Sequence, residues 1–226
     1  MDEILVSATD YLLAIECLVF TGMVWKTENS WREVRRFFAA FFACTALASL
    51  AGAIYHGFFS TTASPMGAAL WGTVLGALGL VAWAAWSIGA CLLWADPLRS
   101  RLVHLALLEF LIYFIYVVAA HRQFGVAVAN YTPSVIFLAW ALARSYRRHH
   151  EPPVLAGLLG LALTGVAAMI QRTSWSLQAL HLNNNSIYHL VQALGLFLIF
   201  RAALFLVKTP TLPGRRSYPL PKNAQW

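Results

Sequence analysis

The stretch His181-Leu-Asn-Asn-Asn-Ser-Ile-Tyr-His189-Leu-Val-Gln192 opens polar and then runs apolar as far as Leu206. A hydrocarbon core about 30 Å thick takes about 20 apolar residues per helix, so Asn185 to Leu206 reads as a membrane-spanning helix. Its first turns stack Asn185, His189 and Gln192 on one face, because helical positions three and four apart are neighbours. The segment therefore predicts both a lipid-embedded fold and a polar site at one end of it.

Working outward, six more segments of that length are bounded by charge, proline or polar clusters. They run from Ile4 to Trp25, Phe37 to Phe59, Gly67 to Trp94, Leu102 to Ala120, Val126 to Ala143 and Pro153 to Ile170. The expected fold is all-α, a polytopic membrane protein of seven transmembrane helices over residues 1–206, followed by a basic, proline-containing tail over 207–226. A chain that is 60% hydrophobic and only 11% charged cannot hide its apolar surface from water as a soluble domain. The net charge of +7 does not point to nucleic acid, since the basic residues sit in short clusters between apolar runs. Cys17, Cys44 and Cys91 lie inside apolar runs with no paired spacing and read as small core residues. Asp2 and Glu3 stand where a cleavable signal needs basic residues, so the first segment is expected to be retained.

Orientation follows from the lysines and arginines, which collect in cytoplasmic loops. Lys26, Arg32, Arg35, Arg36, Arg99, Arg101, Arg144, Arg147, Arg148, Lys208, Arg215, Arg216 and Lys222 fall on one side, and Arg122 and Arg172 on the other. The expected topology is N-terminus out and C-terminus in, in a bacterial inner membrane or an equivalent one, with Arg201 snorkelling inward from helix seven. The tail is expected along the anionic inner leaflet.

With that orientation, His56 near the end of helix two and His189 near the start of helix seven lie at similar depth, each counted at about 1.5 Å per residue. Thr45, Ser49, Gly52 and His56 follow one face of helix two, and Asp10 lies in the outer third of helix one. Asn130 and Tyr131 lie in the outer part of helix five, and His121, Gln171, Trp175 and His181 at outer ends and loops. His104, His149 and His150 belong to the inner side. Neutral imidazole is a common metal ligand, and two of them with a carboxylate make a zinc site that activates water. The same residues also suit a hydrogen-bonded clamp that pins helices together. Ala68, Gly72, Gly76 and Gly79 form a small-residue stripe for close helix packing. Glu16 and Glu109 fall near mid-membrane, where each is expected to be protonated, hydrogen-bonded or turned into the bundle.

Seven helices with a histidine late in helix two and another early in helix seven resemble the superfamily of alkaline ceramidases and adiponectin/progestin receptors. That resemblance implies zinc held by His56 and His189 and hydrolysis of an amide or ester in a lipid. Three positions depart from its pattern: Asn185 stands where the HxxxH pair has its first histidine, Gly52 where a serine precedes the helix-two histidine, and helix three has no carboxylate before Asp96. Asp10 then ligates or orients water, and Asn185 and Gln192 polarise the substrate carbonyl. The expected function is a metal-dependent hydrolase of a lipid or amphiphile at the outer leaflet; the alternative is a non-catalytic scaffold or accessory subunit.

Overall fold

A computed structural model describes residues 2–28, 30–61, 63–119, 123–171 and 183–209. Among them are seven α-helices: α1 Asp2–Trp25, α2 Arg32–Phe58, α3 Pro65–Leu93, α4 Leu98–Ala119, α5 Phe124–His149, α6 Pro152–Gln171 and α7 Asn184–Lys208. All seven are long and apolar enough to cross a membrane. Several extend past the apolar segments expected from hydropathy, because a helix does not stop where its residues turn polar. The first turns of α2 take in Arg32 to Arg36, and the last turn of α5 takes in His149 together with Arg147 and Arg148, two cations that favour the negative end of the helix dipole. Likewise α7 takes in Val207 and Lys208, beyond the boundary expected at residue 206.

The helices α1, α2, α3, α5, α6 and α7 pack in a ring, α7 returning against α1 and also touching α2. Outside the ring, α4 packs chiefly on α3. Gly76 and Gly79 of α3 make room for Phe114, Phe110 and Tyr113 of α4, whose hydroxyl donates to the Leu75 carbonyl at 3.0 Å. Gly72, of the same stripe, meets nothing within 4 Å. The closest backbone approach lies elsewhere, between α6 and α7, where a methyl on Gly160 would stand 2.5 Å from the Gly195 carbonyl oxygen.

One half of the ring is filled by aromatic packing around Phe20, Phe38, Phe41, Phe42 and Phe200, with Phe20 and Phe200 stacked at 4.1 Å. Cys17 and Cys91 belong to this core and Cys44 packs at its edge, so the cysteines are core residues. Beyond it, at the basic end, Arg99 pairs with Glu33 and Asp96, and the Trp31 amide donates to the Val207 carbonyl at 2.8 Å. The other end of the ring holds the polar groups.

Candidate functional site

Asparagines do structural work at the start of α7. The Asn183 side chain accepts from the Ser186 amide at 2.9 Å as the helix cap, and Asn184 donates to the Gln171 carbonyl at 2.8 Å, tying α7 to the end of α6. The helix so fixed presents Tyr188, His189 and Gln192 to a cavity of about 60 Å³, room for a few water molecules. On the facing wall stand Thr45, Ser49, Gly52 and His56, the helix-two stripe read from the sequence.

His189 and Asp10 meet directly, Nε2 to Oδ1 at 3.2 Å, with only 7% and 5% of each residue exposed. The other ring nitrogen, Nδ1, lies 3.0 Å from the Thr9 hydroxyl, which also reaches the Leu5 and Val6 carbonyls. Two proton placements satisfy this chain of groups. Either Nδ1–H donates to Thr9 while Asp10 supplies the proton shared with Nε2, or Thr9 donates to Nδ1 while Nε2–H donates to Asp10. In either placement one proton lies between a carboxyl and an imidazole that are both largely buried. Gly52 is part of it: a methyl there would stand 2.9 Å from Asp10 Oδ2, so only glycine lets the carboxyl lie flat on α2. One turn along, the Ser7 hydroxyl donates to the Ala53 carbonyl at 2.8 Å, and α1 is fastened along α2.

His56 borders the same cavity, but its Nδ1 faces Glu3 Oε2 at 2.8 Å. Asn185 is half-buried on the first turn of α7 and does not line the cavity; Tyr188, hydrogen-bonded to Gln192, stands there instead. His104 donates from Nδ1 within its own helix to the Ser100 carbonyl, 2.7 Å away. His149 and His150 close α5 at the opposite end. Glu16 lies on α1, in the ring, and Glu109 on α4, which packs chiefly on α3. His121, His181 and Trp175 lie outside the described residues. Sequence reasoning missed Thr9 and Glu3. Thr9 carries no motif, and its signal is only that it adjoins Asp10; Glu3 lies close to one face with Ser7 and Asp10 by helical spacing.

Beside this cavity is a larger, mainly apolar one of about 230 Å³. The two share Thr45, Leu78, Phe124, Gln171, Tyr188 and Gln192 as walls, and the larger extends between α5 and α6 past Thr132, Ile136 and Gly165. Ile136 is 65% exposed, so this wall reaches the outer surface of the ring.

Zinc can be tested against these donors. Ligand atoms about 2.0–2.2 Å from a tetrahedral ion stand about 3.4 Å apart, close to the Asp10–His189 separation of 3.2 Å. A zinc site needs at least a third protein ligand. Among the described residues no group of three or more His, Cys, Asp or Glu is placed to share an ion. The donors fit one edge of a zinc site and stop short of a whole one.

Seven membrane-length helices around a buried Asp–His pair define the class of protein. Residues 5–208 match the family described as "Family of unknown function (DUF6962)", and the chain belongs to that family. Neither a curated protein nor a solved structure matches it.

Proposed function

We propose that the chain is a membrane-embedded hydrolase of a lipid or amphiphile in which Asp10 and His189 do the acid–base work. The observation that carries this reading is their direct contact at 3.2 Å, both residues buried, beside a small cavity that shares its walls with a larger apolar one. An ester or amide carbonyl at the shared wall would meet Tyr188 and Gln192, which polarise it, while its hydrocarbon lies along the apolar side. A water in the small cavity gives its proton to the Asp10–His189 pair and attacks the carbonyl carbon. The pair then returns that proton to the leaving oxygen or nitrogen. Thr9 holds the imidazole in register.

The proposal includes the N-out, C-in orientation in a bacterial inner membrane or an equivalent one, supported by the basic side chains gathered at the end away from the site. Entry from the outer leaflet between α5 and α6 goes with it. The resemblance to alkaline ceramidases is supported by the placement of His56 and His189 on one cavity. Zinc held by His56 and His189, as the resemblance implies, would need a third protein ligand, and the acid–base step does not depend on it.

A second reading has its own observation. Both nitrogens of His189 are satisfied by α1, which is how a helix clamp in a non-catalytic scaffold would be built. A panel of fluorogenic lipid esters and amides, offered to the chain in nanodiscs with elemental analysis alongside, separates the two. Hydrolysis that falls by about a hundredfold or more in Asp10→Asn and His189→Gln, with folding retained, supports the hydrolase. Absence of turnover on the whole panel, with both variants only less stable, supports the clamp.

A further inference from the structure

Among the described helices only α4 lies outside the ring, and the groove it leaves against α5 has polar atoms in the wrong solvent. Glu109 Oε2 and Asn130 Nδ2 are both shielded and without a hydrogen-bond partner among the described residues, and both residues line this groove of about 510 Å³. Ala129, which lines it too, adds a third polar group: Pro133 lies inside α5 and has no N–H to give the Ala129 carbonyl. Glu109 falls about 16 Å along a helix of 22 residues, close to its middle. At that depth lipid offers only hydrocarbon, whereas unsatisfied polar groups there cost enough to be paired by protein.

The groove holds a carboxyl acceptor on α4 and an amide donor on α5, and a two-fold axis, with both side chains turned outward from their shielded positions, would set Glu109 of each copy against Asn130 of the other. Its rim, at Leu105, Leu108 and Ile112, is 60%, 53% and 62% exposed and free of charge. We infer that this face docks a second copy of the same chain, making a dimer through α4 and α5 that is sealed by a reciprocal pair of Glu109–Asn130 hydrogen bonds. A lipid is the poorer occupant, because lipid amides and hydroxyls sit at the interface and not at mid-bilayer.

Disulfide crosslinking of Ile112→Cys in native membranes, with single-molecule photobleaching of the full chain in proteoliposomes, tests the inference. The native cysteines are buried or half-buried, so the parent chain is the blank. The expected result is a crosslinked dimer and two-step bleaching. Each interhelical hydrogen bond in a membrane is worth a factor of about three, so Glu109→Leu weakens association about tenfold. Glu109→Gln, which keeps a carbonyl acceptor, retains the dimer and shows that loss in Glu109→Leu is not misfolding. A monomer with no crosslink overturns the inference. So does a dimer unchanged by Glu109→Leu and Asn130→Leu together, or a crosslink from Ile112→Cys to a different polypeptide.

Discussion

Replacing Gly52 by alanine tests the packing of the site at its tightest point. The added methyl would stand 2.9 Å from Asp10 Oδ2 and 3.5 Å from its Cγ, where an ordinary carbon–oxygen contact is about 3.3 Å or more. Asp10 must therefore shift by about 0.4 Å, and its Oδ1 already lies 3.2 Å from His189, so the shift takes that contact to the limit of a hydrogen bond. Overpacking costs about 1–3 kcal/mol and the lost bond about 1 kcal/mol, while alanine gains back about 1 kcal/mol of helix propensity. The net expectation is a loss of about 1–3 kcal/mol, or roughly 3–10 °C in a chain of this length. Thermal unfolding followed by tryptophan fluorescence in detergent reads it directly. Gly72→Ala, where nothing lies within 4 Å, is the control and should be neutral or slightly stabilising. The cause is isolated by a double-mutant cycle, since with Asp10→Ala in place the same methyl at residue 52 has room. An equal loss from Gly52→Ala in both backgrounds would refute the reasoning.

Gly160→Ala drives a methyl to 2.5 Å from the Gly195 carbonyl oxygen, a backbone atom that cannot swing aside, and should cost more than Gly52→Ala, about 2–4 kcal/mol by the same melting assay. Gly165→Ala, with open space around it, should leave the melting temperature unchanged or raised. Thr9→Val removes the partner of His189 Nδ1 while keeping its shape, and is expected to lower stability by about 1 kcal/mol and turnover together. Glu3→Gln breaks the half-exposed pair with His56 and should change stability by about 0.5 kcal/mol or less, measured in the same way.

The helices were legible because each apolar run is long enough to cross a membrane, and a run of that length has few alternatives to a helix. Thr45, Ser49, Gly52 and His56 were legible as one surface for the same reason: a helix turns spacing into a face. Partners across helices were harder. Glu3 engages His56 and Asp10 engages His189, and which carboxyl meets which imidazole depends on how far α1 slides along α2 and α7. That register is set by contacts such as Ser7 on Ala53, which leave no mark in the sequence. At the polar start of α7, Asn183 and Asn184 cap and tether the helix and Asn185 stands off the cavity, a division of labour that spacing alone does not show. Small residues behave likewise. The α3 stripe was legible, but Gly72 is idle, while the backbone approach of Gly160 and Gly195 is one that only their neighbours reveal.

Whether Asp10 and His189 act as one unit is best measured as a double-mutant cycle on kcat/KM for a lipid ester or amide that the nanodisc-embedded chain turns over. Proton exchange within a single pair predicts that Asp10→Asn, His189→Gln and the double variant are equally inactive, all folded, because removing either member disables both. Losses that add independently, or single variants that keep their turnover, would contradict the account.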